Sequence, residues 1–255
     1  MTYCLGMLLH EGLILMADTR TNAGVDNFSS FRKLHTLAQG PTRHIWACTA
    51  GSLSVTQSIL ASLAEGLPGG AGPGDDSAPP RTMDNAPTMF RAAQLLSEAA
   101  VAARHQLRPV LEPEGVSSGV SLLLGGRIGN APPSLYLIYS AGNFIECKEE
   151  APFFQIGETK YGKPILDRVL TPETPIDEAV KLGCLSFDAA MRSNLGVARP
   201  LDLVILPTDR ERLAITRRIE EDDRWFDDLS RRWHAALAET QAALPNPPWL
   251  CGAEA

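Results

Sequence analysis

The sequence comprises 255 residues, of which 44% are hydrophobic, and this is enough for one large domain or at most two small ones. Its formal net charge of −7 argues against general binding of nucleic acid, which requires a basic surface. No apolar run approaches the length of about 18 residues that spans a membrane, so we expect no membrane association.

Cysteine and histidine usage predicts a reduced chain without a metal site. The five cysteines are scattered, with no C-x-x-C pair, which is typical of buried thiols in the cytoplasm. The five histidines show no metal-binding spacing, and neither G-x-x-x-x-G-K-[ST] nor G-x-G-x-x-G occurs. The first residues also lack the basic segment and apolar core of a secretory signal. We therefore expect a cytoplasmic protein that uses no metal and no cofactor.

The first twenty residues predict a β-hairpin that begins almost at the amino terminus. Two short apolar runs, at residues 3–9 and 12–17, are separated by a tight turn. A terminus that is paired in a sheet is ordered, so position 2 is expected to be held in place. The next predicted elements are strands at 33–37 and 44–49 and a helix after residue 52.

A segment rich in glycine and proline, residues 66–87, interrupts this pattern. It contains almost no large apolar residue, and we expect a flexible surface loop rather than a domain boundary. After it, an apolar stripe at helical spacing predicts a second helix from Thr88 to Leu107.

The remainder of the chain alternates groups of strands with groups of helices. The predicted elements are strands at 120–124, 135–139, 144–147 and 153–156, helices near 160–170 and 176–194, strands at 201–206 and 213–217, and a helix at 222–243. Because helices come in pairs and hairpins dominate, this order favours a layered α+β sandwich over a doubly wound parallel sheet. We expect one domain over residues 1–221. Residues 222–255 would form a helix and tail that pack on the same domain or on a neighbouring subunit.

The candidate chemistry is carried by Thr2, Asp18 and Lys33. A threonine hydroxyl is a poor nucleophile until a base removes its proton. If Met1 is removed, the α-amine of Thr2 can act as that base, with a reference pKa of about 7.7–8.0. A cation such as Lys33, the only lysine among the first 147 residues, would lower this pKa, and Asp18 could hold the lysine in place. On spacing alone, a solvated surface lysine and a turn aspartate are the simpler interpretations.

Several short motifs are similar to those of the catalytic β-subunits of the proteasome. They are D-T-R at 18–20 after an apolar strand, A-G at 23–24, R-K at 32–33 and T-A-G-S at 49–52. Longer runs resemble the bacterial proteasome-type family called Anbu, the ancestral β-subunit family; they are I-G-E-T-K-Y-G-K-P-I-L-D-R at 156–168, M-R-S-N-L at 191–195 and P-L-D-L at 200–203. The resemblance, which covers residues 2–217, implies a four-layer αββα sandwich of the N-terminal-nucleophile hydrolase type. It also implies a threonine protease that assembles into a ring or spiral.

The resemblance implies roles for individual residues. Thr2 would be the nucleophile and its amine the base, supported by Asp18 and Lys33. The backbone amide of Gly51 would form the oxyanion hole, where the absence of a side chain lets the peptide approach closely. The residues that fall where family members bind substrate, as an added strand or beside the side-chain pocket, are Thr21, Asn22 and Thr49.

Two positions depart from the proteasome pattern. The turn that carries a serine near the terminal amine has Glu158 instead, and a carboxylate there would raise the pKa of the amine unless it pairs with Lys33 or a substrate amine. At a second position, Ser193 and Gly196 replace an aspartate and the serine three residues after it. The segment 193–195 is either an outer layer of contacts around the site or simply the end of a helix. These changes leave the nucleophile intact and predict weak or highly selective turnover.

Three functions are compatible with these residues. The first is hydrolysis of peptides or unfolded proteins inside a homo-oligomer, to which an ATP-dependent unfoldase could deliver substrate. The second is an N-terminal-nucleophile amidase that acts on a small molecule. The third is an assembled scaffold of low catalytic activity. The mass of the intact chain, labelling with a threonine-directed probe and the size of the assembly distinguish the three.

Overall fold

The computed structural model describes residues 2–22, 28–69 and 78–249. The strands are β1 (Tyr3–Leu9), β2 (Gly12–Asp18), β3 (Arg20–Asn22), β4 (Phe28–Ser30), β5 (Leu34–Gly40), β6 (Arg43–Gly51), β7 (Val120–Ile128), β8 (Ser134–Tyr139), β9 (Phe144–Glu146), β10 (Phe153–Gly157), β11 (Leu201–Pro207) and β12 (Ile215–Ile219). The α-helices are α1 (Leu53–Glu65), α2 (Met89–Leu111), α3 (Lys163–Val169), α4 (Ile176–Ser193) and α5 (Arg224–Ala243). Within the described ranges, none of the helices combines the length and apolar character needed to cross a membrane.

Ten of the strands form two antiparallel five-stranded sheets, and the predicted α+β class is thereby confirmed. The first sheet has the order β10-β1-β2-β11-β12, and the second sheet has the order β5-β6-β7-β8-β9. The short strands β3 and β4 form a separate two-stranded ribbon. Every pairing in the two sheets is antiparallel, which allows short hairpins to join many neighbouring strands.

The predicted amino-terminal hairpin is confirmed as strands β1 and β2. Its register runs from Cys4 opposite Ala17 to Leu9 opposite Gly12. On its other edge β2 pairs with β11, so β2 is the central strand of the first sheet. All seven residues of β2 are buried, which explains why its sequence is almost continuously apolar.

The two faces of the second sheet contact different parts of the molecule. On β6, Ile45 and Ala47 belong to a core cluster that includes apolar residues of α1 and α2. Trp46 and Cys48, which alternate with them, belong to a cluster that includes residues of the first sheet. The period of two along the strand therefore buries both of its faces.

Helix α4 packs on β1 and β2. A Cβ atom at Gly183 would lie 2.6 Å from Met16 Sδ, so the helix can approach the sheet closely because this position has no side chain. The ring centroids of Tyr3 and Phe187 lie 4.4 Å apart. Tyr3 therefore points toward α4, whereas Cys4 points to the opposite side of β1, where it joins the cluster shared with the second sheet.

The glycine- and proline-rich segment 66–87 contains ordered contacts at both of its ends. The backbone groups of Leu67 and Arg81 exchange hydrogen bonds of 2.9 and 2.8 Å. Met83, the largest apolar side chain near its end, is 2% exposed and belongs to the same cluster as α1 and α2. Residues 70–77 lie outside the described residues, so the flexibility of the loop stays a prediction.

The chain divides into two compact units, Met1–Glu221 and Asp222–Ala255. In the second unit the predicted helix is confirmed as α5, which begins two residues later than expected. The side chain of Asp223 caps it, because its carboxylate accepts a hydrogen bond of 2.9 Å from Phe226 N. A role for this helix at a subunit interface stays a prediction.

Candidate active site

The end of β2 brings Asp18 against the beginning of β1. Asp18 Oδ1 accepts a hydrogen bond of 2.9 Å from the backbone N–H of Tyr3 and one of 2.8 Å from Lys33 Nζ. A single carboxylate oxygen thus connects the residue that follows Thr2 to the ammonium of Lys33. The fold therefore brings together the three residues in which the sequence placed the candidate chemistry.

Both members of this ion pair are buried. The side chain of Asp18 is 0% exposed and that of Lys33 is 6% exposed. Lys33 Nζ also donates a hydrogen bond of 2.5 Å to the carbonyl oxygen of Arg20. A buried ammonium requires a counter-ion and further acceptors, and these contacts supply both. The interpretation of Lys33 as a solvated surface residue is excluded by its burial.

Burial and pairing act on the Asp18 carboxyl in opposite directions. Removal from water raises its pKa above the usual value, and this is the larger effect. The Lys33 ammonium and the Tyr3 N–H lower it. The thiol of Cys4, on the adjoining strand, has a pKa well above its usual range, chiefly because it is buried, and is therefore neutral.

Thr2 extends the pairing between β1 and β10 by one residue. That pairing sets Tyr3 opposite Gly157, and the N–H of Glu158 donates a hydrogen bond of 2.6 Å to the carbonyl oxygen of Thr2. Successive side chains of a strand point to opposite faces, so Thr2 shares the face of β1 that Cys4 occupies. This is the face that contributes to the cluster shared with the second sheet.

The absence of a side chain at Gly157 allows β10 to approach Thr2 closely. Its φ of +84° lies in the left-handed region that favours glycine. A Cβ atom at this position would overlap the carbonyl carbon and oxygen of Thr2. The turn after β10 and the position of the proposed nucleophile therefore depend on the same glycine.

The carboxylate of Glu158 is buried and is held from two sides. Its Oε2 accepts a hydrogen bond of 2.8 Å from Asn194 Nδ2, and its Oε1 accepts one of 3.2 Å from the backbone N–H of Lys160. Asn194 is fixed in turn, because its Oδ1 accepts a hydrogen bond of 2.9 Å from Gly196 N. The described partners of the carboxylate are thus an amide and a backbone N–H, and the pairing with Lys33 considered from the sequence is not formed.

The segment 193–195 contains the end of a helix and a contact with Glu158. Ser193 is the last residue of α4 and is exposed, so the helix does end there. The next residue, Asn194, provides the contact with Glu158. The sequence did not predict Glu158 as the partner of Asn194, because this contact spans 36 residues and no local pattern indicates it.

At the end of β6, Gly51 has a φ of +109°, and a Cβ atom there would overlap the carbonyl oxygen of Gly119. That carbonyl also accepts a hydrogen bond of 2.9 Å from Ser52 N. Two residues earlier, Thr49 N donates a hydrogen bond of 2.9 Å to the carbonyl oxygen of Lys33. Because the N–H groups of a strand alternate between its two edges, the amide of Gly51 lies on the edge of β6 that faces Lys33.

The predicted substrate-binding residues lie on two elements. Thr21 and Asn22 belong to β3, which pairs with β4 along one edge. Thr49 is buried on β6, and its carbonyl oxygen is 3.7 Å from the thiol of Cys4. Residues 23–27, which include the A-G motif, lie outside the described residues.

The described side chains include neither a metal cluster nor a disulfide. Among residues 2–22, 28–69 and 78–249, no three histidine, cysteine, aspartate or glutamate side chains are placed to hold a metal ion together. The cysteines at positions 4, 48, 147 and 184 are buried and have free thiols.

Two antiparallel five-stranded sheets, with a buried Asp18–Lys33 pair beside the first residues of β1, define an α+β protein with a candidate active site at its amino terminus. Neither a protein-family model nor a curated protein matches the sequence. Solved structures do match it. The chain is 39% identical to the Anbu (Gly-1) mutant from Hyphomicrobium sp. strain MC1, with a TM-score of 0.84 over 97% of this chain and 99% of that one. The chain belongs to the Anbu (ancestral beta-subunit) family.

Two further solved structures agree with this assignment. Anbu from Yersinia bercovieri is 39% identical, with a TM-score of 0.82 over 96% of this chain and 99% of that one. The helical assembly of the Anbu complex from Pseudomonas aeruginosa is 38% identical, with a TM-score of 0.84 over 98% of this chain and 100% of that one. The family resemblance that the sequence motifs indicated is therefore confirmed.

Proposed function

We propose that the protein is a threonine peptidase in which Thr2, exposed by removal of Met1, is the nucleophile. The observation that carries the proposal is the shared oxygen Asp18 Oδ1, which accepts hydrogen bonds from both Lys33 Nζ and Tyr3 N. The Asp18 carboxylate therefore connects the buried ammonium of Lys33 to the first peptide N–H of β1. The positive charge of Lys33 would act on an amine at Thr2 in a region from which water is largely excluded.

The proposed reaction follows from the chemistry of these groups. The α-amine of Thr2 takes the proton of its own hydroxyl as Oγ1 attacks the carbonyl carbon of the substrate. The amine then gives that proton to the leaving nitrogen, the C–N bond breaks, and an ester to Thr2 remains. Water, activated by the same amine, hydrolyses the ester and restores the hydroxyl. Lys33 favours the neutral amine by its charge, and Asp18 keeps Lys33 in position.

The amide of Gly51 is proposed to stabilise the negative oxygen that forms during each attack. Two observations support this role: the amide lies on the edge of β6 that faces Lys33, and the glycine has a backbone conformation that other residues avoid. The peptide would pair as an extended strand with residues of β3, and the residues proposed to bind it are Thr21, Asn22 and Thr49.

The architecture proposed for this chemistry is the four-layer αββα sandwich of N-terminal-nucleophile hydrolases. Support comes from the two clusters on either face of the second sheet, one shared with α1 and α2 and the other with the first sheet. The packing of α4 on β1 and β2 would supply the fourth layer. In this arrangement Thr2 lies between the two sheets.

The protein is proposed to act as a homo-oligomer in the cytoplasm, forming a ring or a spiral. The Pseudomonas aeruginosa relative is described as a helical assembly, and this chain aligns with 100% of it. Four free buried thiols are consistent with a reducing compartment. Peptides or unfolded proteins are the proposed substrates, and an ATP-dependent unfoldase is the proposed source of the latter.

The proposal is tested by intact-mass measurement and labelling with a threonine-directed epoxyketone or β-lactone. The wild type should lack Met1 and gain one adduct, and Thr2→Ala should gain none. Thr208→Ala is the matched control, because Thr208 is exposed on a segment remote in sequence from the site, and it should label like the wild type. Retention of Met1, or equal labelling of Thr2→Ala, would contradict the proposal. Labelling without peptide cleavage would favour a small-molecule amidase, and assembly without labelling would favour a scaffold.

A further inference from the structure

We propose that the carboxylate of Glu158 binds the free α-amine of Thr2 and sets the pH range in which that amine can accept a proton, and that Asn194 positions the carboxylate. This inference rests on the proposed function, since it concerns the amine that is formed when Met1 is removed. It assigns Glu158 a part in the reaction and Asn194 a positioning role.

The register between β1 and β10 brings Glu158 to the amine. Glu158 N donates to the carbonyl oxygen of Thr2, and Leu8 N donates to that of Pro152 six residues further along β1. The hydrogen bond to Thr2 is the last of this series, and it holds the backbone of Glu158 against Thr2 at the turn that Gly157 forms.

The Glu158 carboxylate can accept at least one more hydrogen bond, and its described contacts include no cation. The residue is 7% exposed, and its described hydrogen bonds come from Asn194 Nδ2 and Lys160 N, one to each oxygen. A carboxylate has about four acceptor sites, so at least one further N–H can be accommodated. Within the described residues no lysine or arginine forms an ion pair with Glu158. Buried carboxylates are normally paired with a cation, and the α-ammonium of Thr2, the residue whose carbonyl oxygen accepts a hydrogen bond from Glu158 N, can supply it.

The charges around Thr2 act on the amine in opposite directions. Lys33 disfavours the ammonium form, whereas the carboxylates of Asp18 and of Glu158, which follows β10, favour it. The thiol of Cys4, on the same face of β1, is neutral. Removing the charge of Glu158 therefore leaves the influence of Lys33 less opposed. The pKa of the amine should fall, and the neutral amine should be present at lower pH.

The experiment compares Glu158→Gln with the wild type. Each protein is produced with Thr2 as its first residue, if necessary by cleavage of an amino-terminal fusion, and the product is verified by mass. The pH dependence of amine acetylation by acetic anhydride, measured on the amino-terminal peptide by mass spectrometry, reports the amine pKa without requiring activity. The pH dependence of labelling by the β-lactone reports the same group during the reaction. Glu150→Gln removes an equal charge from an exposed position and is the matched control.

We expect Glu158→Gln to shift both midpoints to lower pH by about one unit or more. Glu158→Asp, which retains the charge, should restore the wild-type profile, and Asn194→Ala should shift it partway. A purely structural role would lower labelling at every pH without moving the midpoint. The inference would be overturned if the Thr2 amine titrated with the same midpoint in the wild type, in Glu158→Gln and in Glu150→Gln. If the amine titration shifts but the wild type is never labelled, the inference stands and the proposed peptidase function fails.

Discussion

Replacing Lys33 by methionine should destabilise the protein far more than an ordinary charge removal. The substitution keeps most of the apolar stem of the side chain, so the loss comes mainly from the ammonium. It leaves Asp18, whose side chain is 0% exposed, without its counter-ion. Removing one partner of a buried ion pair typically costs about 3–5 kcal/mol, because the remaining charge is buried and uncompensated.

A matched pair on the surface provides the control. Lys163 and Asp167 form an ion pair across one turn of α3, with side chains 53% and 46% exposed. Such pairs contribute about 0.3–0.5 kcal/mol, so Lys163→Met should change stability little. In a protein of this size about 1 kcal/mol corresponds to about 2–4 °C in Tm, so Lys33→Met should lower Tm by about 6–20 °C and Lys163→Met by about 2 °C or less. Differential scanning calorimetry of the purified variants measures both.

The double variant Asp18→Asn with Lys33→Met distinguishes the cost of an unpaired buried charge from the loss of attraction between the two residues. The asparagine oxygen can still accept the hydrogen bond from Tyr3 N, and no charge is left unpaired. The double variant should therefore be more stable than Lys33→Met alone, since removal of both members of a buried pair is often close to neutral. Equal Tm values for Lys33→Met and Lys163→Met, or a double variant as unstable as the sum of its parts, would refute the reasoning.

The contribution of the Asp18–Lys33 pair to the free energy of unfolding should change with pH in a defined direction. Burial raises the pKa of Asp18 in the folded protein, and Lys33 opposes this only in part. A carboxyl with a raised pKa binds its proton more tightly when folded, so this contribution to stability is fully present below the unfolded pKa of about 3.9 and is lost as pH rises through the folded value. The difference in unfolding free energy between wild type and Asp18→Asn should therefore grow as pH falls through this window. A difference that shrinks would show that the attraction of Lys33 is the larger effect.

Three further predictions concern backbone geometry and thiol accessibility. Gly157→Ala should displace Thr2 and reduce β-lactone labelling at every pH, because its Cβ would overlap the Thr2 carbonyl; unchanged labelling kinetics would contradict this. Gly51→Ala should lower kcat, because its Cβ would overlap the carbonyl oxygen of Gly119 and displace the amide that is proposed to stabilise the transition state, and an unaltered kcat would argue against the oxyanion role. Burial raises the pKa of the Cys147 thiol to about 12, so in a Cys251→Ser background Cys147 should resist iodoacetamide at pH 8 until the protein is unfolded, as mass spectrometry would report.

The sequence predicts most of the fold because most elements have a clear period. The two apolar runs at residues 3–9 and 12–17 and the stripe of the second helix each specify an element that the structure contains. The ribbon of β3 and β4 was not predicted, because its short strands lie in a polar stretch, residues 19–32, that shows no apolar period. The second helix extends to Leu111, past Pro109, because a proline near a helix end disrupts few hydrogen bonds.

The candidate site was only partly predictable for a different reason. Thr2, Asp18 and Lys33 could be selected by chemistry and by family motifs, but the oxygen that joins Lys33 Nζ to Tyr3 N is a product of the β1–β2 register. The contact between Glu158 and Asn194 depends on where α4 ends relative to β10. Contacts of this kind cannot be predicted from local sequence periodicity, because they depend on how distant elements pack in the folded chain.

The most direct test of the whole account is the mass of the amino-terminal peptide after incubation with the β-lactone. We predict a peptide that begins at Thr2 and carries the acyl group on its hydroxyl, and no such adduct in the Thr2→Ala protein. A peptide that still begins with Met1, or an acyl group attached to any other residue, would contradict the claim that the first threonine performs the chemistry.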